Sequence, residues 1–439
     1  MNENSPLMTS RRNFLKTSSG AALASTVAAP LLFNTTRAAE SPGDPIKVGL
    51  VGCGGRGVGA AQDALNADPN AMLTAVGDIY EGQVKGAVQQ LSASEKLKDR
   101  VNVPDGNRFV GFDSYKAVIE SGVDLVILAT PPGFRPQHVK AAVEAGKHLF
   151  VEKPVATDAP GIRSILASTE EAKKKNLAII AGFCWRYNLA EKALFERILA
   201  GDIGDVRASY VTYNTGFLWD RTNPADETEM QKQIRNWYYY NWLSGDFITE
   251  QAVHAIDWMS WANGDVPPVK CIAHGGRQVR TAPRFGDIYD HFEVVYEYAN
   301  GSRGFAFARQ QAGCASGNHG VFYGTNGTAY EMGFSGMPYI KNERGGTLWK
   351  YDGKRPSMYQ LEHEALFASI RAGKPLNDGD RMAKSTLIAL MGRMAAYTGQ
   401  EITYEQMLNS KQQLVPDNVT WDTPAPEVKV AMPGITKFS

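Results

Sequence analysis

The chain has 439 residues, enough for two or three hydrophobic cores at roughly 100 to 200 residues per domain. Apolar residues make up 43% of it and charged residues 21%, which excludes a chain that is disordered for want of buriable surface. Basic and acidic residues both number 46, so no net positive charge favours a nucleic acid or an anionic membrane. We therefore expect a multidomain globular protein without a nucleic-acid partner.

The beginning of the chain predicts an export signal over residues 1–39. Arg11 and Arg12 precede Phe14 and Lys16, and a run of small and apolar residues follows over 21–33. This run is shorter than the ~20 residues that a membrane-crossing helix needs, so we expect cleavage, no membrane span in the mature form, and a periplasmic or secreted protein. Because the twin-arginine route carries folded proteins, we also expect a tightly held cofactor.

Short apolar runs alternate with amphipathic stretches after the signal, which predicts buried parallel strands joined by helices. The predicted strands cover residues 46–51, 71–77, 124–129 and 148–151. The predicted helices between them cover residues 58–67, 82–97, 115–121 and 135–145. This series predicts a doubly wound parallel domain over residues 45–155.

Longer strands follow, which predict a second, α+β domain over residues 156–413 with a large, mainly antiparallel open sheet. The predicted strands are 178–183, 206–214, 269–274, 291–298 and 304–310, the last two joined by Asn300-Gly301 as a hairpin. The predicted helices are 159–175, 191–200, 246–262, 359–372 and 381–398. Residues 414–439 show no period and are predicted to be an irregular tail. Because another subunit commonly covers an open sheet face, we expect a homodimer or homotetramer.

The four cysteines, Cys53, Cys184, Cys271 and Cys314, lie far apart in the sequence without a C-x-x-C pair. This spacing indicates neither a zinc ribbon nor a dense disulfide framework. We expect four buried thiols.

The segment Gly52–Gly57 has the G-x-G-x-x-G arrangement between a predicted strand and a predicted helix. Gly52 permits a tight turn, Gly54 lets the backbone approach a pyrophosphate, and Gly57 allows close packing of helix on strand. The helix N-terminus, which begins near Gly55, faces the phosphates. This context predicts a Rossmann domain that binds a nicotinamide dinucleotide.

Asp78 ends the second strand about 20 residues after the glycines, where a carboxylate accepts hydrogen bonds from an adenosine ribose. The same carboxylate repels a 2′-phosphate, so we expect NAD rather than NADP. Arg56 keeps NADP open, because an arginine beside the phosphates could hold a 2′-phosphate.

The tripeptide Glu152-Lys153-Pro154 follows the strand 148–151, at the sheet edge where ligands bind in open α/β sheets. Lys153 is therefore predicted to point towards the nicotinamide. A solvated lysine in a surface turn is the alternative.

A second constellation lies in the predicted helix 246–262. Glu250, His254 and Asp257 are spaced to share one helix face. Carboxylates that orient a histidine can keep it basic, as a general base requires. A solvated surface cluster and a transition-metal site remain as alternatives.

Together these residues resemble the Gfo/Idh/MocA oxidoreductases over roughly residues 46–398. The motifs that carry the resemblance are Gly52–Gly57, Asp78, Ala129-Thr130-Pro131-Pro132, Glu152-Lys153-Pro154 and the segment 250–257. The resemblance implies that Lys153 polarises or protonates a sugar oxygen, that His254 is the acid/base, and that Thr130 and Pro131 line the cofactor groove. The chain departs from the family pattern at Glu250, where the family often has Asp.

Aromatic residues collect between positions 217 and 242, with Arg221 and Arg235 among them. Because aromatic rings stack on sugar rings, we predict that Tyr240 and Trp242 bind substrate, together with Arg186 and Asp257. An aromatic core or a subunit interface is the alternative.

These observations predict an exported NAD-retaining oxidoreductase that acts on a sugar or glycoside, without a metal. A redox-assisted glycoside hydrolase is one alternative, in which oxidation, elimination, water addition and re-reduction follow one another. A non-catalytic sugar-binding protein with structural NAD is another.

Overall fold

The computed structural model describes residues 43–439. The predicted export signal, residues 1–39, lies outside the described residues. Among those that are described, no helix is long and apolar enough to cross a membrane.

The first part of the described chain forms a six-stranded, all-parallel sheet with the strand order β3-β2-β1-β4-β5-β6. Its strands are β1 (Ile46–Val51), β2 (Ala71–Asp78), β3 (Arg108–Val110), β4 (Leu125–Leu128), β5 (His148–Val151) and β6 (Ile179–Ala181). The connecting helices are α1 (Gly55–Ala67), α2 (Glu81–Ser92), α3 (Ser114–Glu120), α4 (Arg135–Glu144) and α5 (Ala159–Lys174). The predicted parallel fold is confirmed, and the strand order reverses between β1 and β4, where such sheets bind ligands.

The parallel sheet extends beyond the boundary predicted at residue 155. Helix α5 and strand β6, which we assigned to the second domain, complete it, because β6 pairs with β5 in parallel. Leu366 and Phe367, from much later in the chain, also belong to the hydrophobic core of this domain. The two domains therefore share a core.

The second part forms a nine-stranded sheet with the order β14-β13-β12-β11-β7-β10-β9-β8-β15. Its strands are β7 (Val206–Thr215), β8 (Lys270–Gly276), β9 (His291–Glu297), β10 (Arg303–Gln310), β11 (Gly317–Gly324), β12 (Gly327–Glu331), β13 (Tyr339–Asn342), β14 (Thr347–Lys350) and β15 (Ile402–Thr403). Only the β7–β10 pair in this sheet of the described chain is parallel. The predicted hairpin joins β9 to β10, with Gly301 at φ +84°.

Helices cover and connect this sheet. They are α6 (Leu189–Leu199), α7 (Glu229–Arg235), α8 (Asn241–Ser244), α9 (Phe247–Glu250), α10 (Val253–Ala262), α11 (Met358–Arg371), α12 (Gly379–Thr398) and α13 (Tyr404–Asn409). Helix α12 is buried along almost its whole length and packs against α5, α9, α10 and β8.

The single helix predicted over 246–262 is wrong, because the chain breaks between α9 and α10. Asp246 adopts a positive φ of 67° and caps α9, and its carboxylate accepts hydrogen bonds from Tyr289 N at 2.8 Å and from Tyr397. At the other end of α9, Gln251 begins a two-residue turn, and its side chain accepts a hydrogen bond from Gln310 at 2.6 Å. Tertiary hydrogen bonds on both sides of α9 thus override the local helical period.

Residues 410–439 contain no helix or strand, as predicted for residues 414–439. Cys53, Cys184 and Cys271 are buried thiols, whereas Cys314 is exposed. The prediction of four buried thiols is therefore wrong at Cys314, which lies in the loop between β10 and β11.

Candidate functional site

The glycine turn after β1 excludes side chains at two positions and leaves space at two others. A Cβ at Gly52, whose φ is +92°, would lie 2.7 Å from the Ala129 carbonyl carbon, and one at Gly57 would lie 1.8 Å from the Gly52 oxygen. In contrast, a Cβ at Gly54 or Gly55 would meet no atom within 4 Å. Helix α1 begins at this open space without a side-chain cap, so its first N–H groups fit an anionic pyrophosphate.

A cavity of about 320 Å³ lies along the carboxyl ends of β1, β2 and β4. Its lining includes five of the predicted cofactor residues, namely Gly52, Gly54, Asp78, Thr130 and Pro131. The other five, Gly55, Arg56, Gly57, Glu152 and Lys153, do not line it. The residues present at the turn and along this cavity therefore fit a dinucleotide.

Asp78 stands at the end of the cavity where Rossmann domains hold the adenosine ribose. Its Oδ2 accepts a hydrogen bond from Cys53 N at 2.8 Å, and its Oδ1 accepts one from Tyr80 N at 2.9 Å. Burial raises the pKa of Asp78, and Arg221 is among the groups that oppose this rise. Arg221 also lines the cavity, a position that the sequence did not reveal because the residue comes from the second domain.

Arg56, predicted to lie beside the phosphates, directs its side chain to two carboxylates. Its Nε donates to Glu152, its Nη2 donates to Glu362 Oε1 at 3.1 Å, and its guanidinium lies 4.9 Å from the ring centre of Tyr359. Both carboxylates form ion pairs with the guanidinium of Arg56. These ion pairs connect the glycine turn to Glu152 and to helix α11.

Lys153 and Glu250 meet where the two domains face each other. Lys153 Nζ donates to the backbone oxygen of Glu250 and lies 3.4 Å from Glu250 Oε1. Both side chains are 13% exposed, so the pair is accessible but largely dehydrated. Burial raises the pKa of Glu250, although Lys153 and Arg135 oppose that rise.

His254 lies close to Lys153 but not to a carboxylate partner. Its ring makes no hydrogen bond within residues 43–439, and its Nδ1 is buried without a partner. Burial, followed by the positive charges of Lys153 and Arg56, moves the pKa of His254 well below its ordinary value. The expectation that carboxylates keep this histidine basic is therefore wrong, and the imidazole is neutral near neutral pH.

Arg186 and Asp257, both predicted to bind substrate, bind each other instead. Arg186 Nε donates to Asp257 Oδ2 at 2.8 Å, and its Nη2 also donates to Asp265 Oδ1 at 2.6 Å. Asp257 Oδ1 additionally accepts a hydrogen bond from Ser385 at 2.7 Å. Both members of the pair are buried and their charges are compensated, which corrects the prediction.

Tyr240 and Trp242 are also buried rather than presented to a substrate, each with only 4% of its surface exposed. The indole N–H of Trp242 donates to Gln233 Oε1 at 2.7 Å, and its ring packs edge-on against Phe134. The alternative of an aromatic core therefore holds for these two residues. Proximity in sequence to Glu250 was a poor guide, because Gly245 and Asp246, both at positive φ, turn the chain between Trp242 and Glu250.

Two tyrosines that the prediction did not select, Tyr213 and Tyr238, lie near Glu250. Burial raises the pKa of Tyr213, and the nearby Glu250 and Tyr359 contribute to that rise. Burial and Glu250 likewise raise the pKa of Tyr238, whose hydroxyl accepts a hydrogen bond from Gln310 at 2.8 Å. The alternation of β7 places Tyr213 on one face of its strand, but only the fold brings it to Glu250.

The metal-site alternative finds no support in the part of the chain that the structure describes. No group of three or more His, Cys, Asp or Glu side chains there could hold a metal ion.

Comparison with known proteins identifies the family. Residues 46–182 match the oxidoreductase family with the NAD-binding Rossmann fold, GFO_IDH_MocA, and residues 192–330 match the GFO/IDH/MocA C-terminal domain. The first domain is therefore an NAD-binding domain, as predicted.

Similar proteins are found among curated sequences and among solved structures. Inositol 2-dehydrogenase of Acidothermus cellulolyticus is 24% identical over 58% of this chain and 63% of its own length. A glycosyl hydrolase family 109 protein of Solibacter usitatus is 27% identical over 47% of this chain and 46% of its own length. The chain thus spans about half to two thirds of the length of these relatives.

A solved structure of levoglucosan dehydrogenase in complex with NADH and levoglucosan matches with a TM-score of 0.66 and 19% identity. The match covers 82% of this chain and the whole of that one, and it shows a common fold. With both domains matched over more than half of its length, the chain belongs to the Gfo/Idh/MocA oxidoreductase family.

Proposed function

We propose that this protein is an NAD-dependent oxidoreductase that oxidises a ring hydroxyl of a sugar, glycoside or inositol. The observation that carries the proposal is the partly exposed Lys153–Glu250 pair at the carboxyl end of β5. The adjacent strand, β4, leads into Thr130 and Pro131 of the dinucleotide cavity. A substrate carbon at Lys153 would therefore lie at the same sheet edge as the cofactor.

The side chains supply the proton chemistry of this oxidation. Lys153 carries three N–H donors, of which two are directed at Glu250, so one remains for a substrate oxygen. His254 is a neutral imidazole with no hydrogen-bond partner among the described residues, so it is the acceptor for the hydroxyl proton as the carbonyl forms, and its lowered pKa makes it a weaker base than an ordinary histidine. When bound, NAD takes up the hydrogen and the two electrons that leave the ring carbon.

We propose further that the protein is exported and keeps its NAD through turnover. An exported enzyme has no access to the cytoplasmic NAD pool, so a second carbonyl compound must be reduced at the same site to complete the cycle. The cavity at Asp78 is walled in part by residues 418–420 of the C-terminal segment, which supports retention of the cofactor. We also propose that the open face of the nine-stranded sheet pairs with another copy of the chain, which light scattering of the purified protein would test.

The experiment begins with protein purified without added nucleotide. Denaturation should release close to one equivalent of NAD per chain. The native protein is then incubated with a panel of inositols and aldoses, with and without a second carbonyl compound. The proposal expects one equivalent of oxidised product alone and continued turnover with the second compound. Bound NAD without oxidation of any panel member would contradict the proposed activity.

A redox-assisted glycoside hydrolase is the second candidate, favoured by the tyrosines close to Glu250. Oxidation of a ring hydroxyl makes the neighbouring C–H acidic, a base removes that proton, and the aglycone leaves. Water then adds, and the ketone is reduced again, so no second carbonyl compound is consumed. Similarity to a glycosyl hydrolase family 109 protein supports this candidate. Release of aglycone from aryl glycosides without a second substrate would select it over the first.

A further inference from the structure

The irregular C-terminal segment forms a wall of the dinucleotide cavity. Asn418, Val419 and Thr420 line the cavity together with Asp78 and Tyr80. These residues come from the last part of the chain, whereas the remaining lining comes from the first domain and from residues 221–237. The adenosine end of the cavity is thus built from three separate parts of the sequence.

Trp421 connects this segment to both loops that flank the adenosine end. Its ring centre lies 4.8 Å from that of Phe112, at an interplanar angle of 64°, and 5.7 Å from that of Tyr80. Phe112 follows β3 and Tyr80 follows β2, and both residues also line the cavity. A single tryptophan therefore bridges the two loops between which the adenosine would lie.

Hydrogen bonds hold the segment at its two ends. Leu414 N donates to Asp158 Oδ2 at 2.8 Å before the cavity, and Gln233 Nε2 donates to the oxygen of Pro426 at 3.0 Å after it. Between these anchors, the hydrogen bonds of residues 415–425 remain within residues 413–425 of the described chain. The side chains of this stretch that contact the cavity walls are apolar. The stretch can therefore lift away without breaking a hydrogen bond to the rest of the protein.

The opposite wall is held more firmly. Arg221, Ile234 and Trp237 line it, and Asn236 fixes the backbone of Arg221 by accepting from its N–H and donating to its oxygen, both at 2.9 Å. Residues 221–237 are therefore a fixed part of the cavity wall, whereas the C-terminal segment is the part that can open.

We propose that residues 415–421 form a clasp that closes over the adenosine half of the cofactor, so that NAD dissociates only when the clasp lifts. The inference rests on the proposed function, because it explains how an NAD-dependent enzyme would retain its cofactor between turnovers. It assigns to the C-terminal segment a binding role that neither family domain covers, since these end at residue 330.

The test compares Trp421→Ala with Trp349→Ala. Trp349 is a partly exposed tryptophan of β14 that packs near Tyr351 and does not line the cavity, so it is a matched control. The rate constant for NAD dissociation is measured from holoprotein by displacement with an excess of a fluorescent NAD analogue. We expect it to rise at least tenfold in Trp421→Ala and less in Trp421→Phe, and to stay within twofold of wild type in Trp349→Ala.

Hydrogen exchange of the wild-type protein gives an independent measurement that needs no variant. Amides of residues 415–423 should exchange at least tenfold more slowly with NAD bound than without it. Equal exchange in both states, or an unchanged dissociation rate constant in folded Trp421→Ala, would overturn the clasp. Wild-type protein that binds no NAD would instead overturn the proposed function, so the two failures are distinguishable.

Discussion

Replacement of Gly57 by alanine tests whether the turn after β1 has the geometry that a dinucleotide needs. The new Cβ would lie 1.8 Å from the Gly52 oxygen and 3.0 Å from its carbon, both backbone atoms. Gly52 cannot move away easily, because its N–H donates a hydrogen bond to the Gly77 oxygen at 2.8 Å and its α-carbon lies against the backbone of Ala129. Helix α1 and strand β1 must therefore move apart.

Gly59→Ala in the same helix provides the control. Its Cβ would have Arg56 Nη1 as its nearest neighbour at 3.9 Å, an ordinary contact. Both alanines gain the helix propensity that glycine lacks, about 0.5–1 kcal/mol. The difference between the two variants is then the cost of overpacking at Gly57, about 1–3 kcal/mol.

Urea unfolding of the NAD-free variants measures this difference, and titration with NAD measures binding. We expect Gly59→Ala to be slightly more stable than wild type and to bind NAD normally. Gly57→Ala should be less stable than Gly59→Ala by the stated amount and should lose at least tenfold in NAD affinity. Equal stability and equal affinity of the two variants would refute the role assigned to the turn.

Two further predictions concern buried charges in the second domain. Burial raises the pKa of Asp246 to about 6 and that of Asp287 to about 7, above the unfolded value of 3.8, so these groups contribute stability below about pH 4 that is lost as the pH rises through 6 and 7. Asp287→Asn should flatten the fall in unfolding free energy between about pH 4 and pH 7, whereas an unaltered slope would speak against this assignment. Arg186→Met leaves Asp257 buried without its partner and should cost about 3–5 kcal/mol of stability. Because neither residue of that pair is assigned to substrate, the KM of surviving folded enzyme should stay unchanged, and a selective rise in KM would restore the original prediction.

The parts of the fold that follow from local pattern were predictable from the sequence. Strand β1, the glycine turn and α1 are specified by neighbouring residues, because the apolar run and the required glycines lie within twenty positions of each other. The break between α9 and α10 was not predictable in this way. Distant residues hold the chain on both sides of α9: Tyr289, before β9, and Tyr397 of α12 bond to Asp246, and Gln310 of β10 bonds to Gln251.

The candidate site likewise contains residues that could be predicted from local sequence and residues that could not. Lys153 and the cavity-lining glycines were selected from their position after strands, and they lie at the same sheet edge, although Lys153 does not line the cavity. Arg186 was selected as a substrate-binding residue, but the carboxylates of Asp257 and Asp265 neutralise its charge in the folded protein. Trp421 could not be selected at all, because an aperiodic tail gives no signal of what it will cover.

The central claim is that Lys153 assists oxidation of a ring hydroxyl next to bound NAD. NAD-loaded wild type, Lys153→Met and Lys147→Ala are each mixed with the best compound of the inositol and aldose panel, and the near-ultraviolet absorbance of reduced nicotinamide is followed in a single turnover. Lys147 lies half-buried just before β5 and serves as the control. We predict that Lys147→Ala reacts like wild type and that Lys153→Met retains its NAD but reacts slower by roughly 10²- to 10⁴-fold. A Lys153→Met protein that reduces its NAD as fast as wild type would contradict the account.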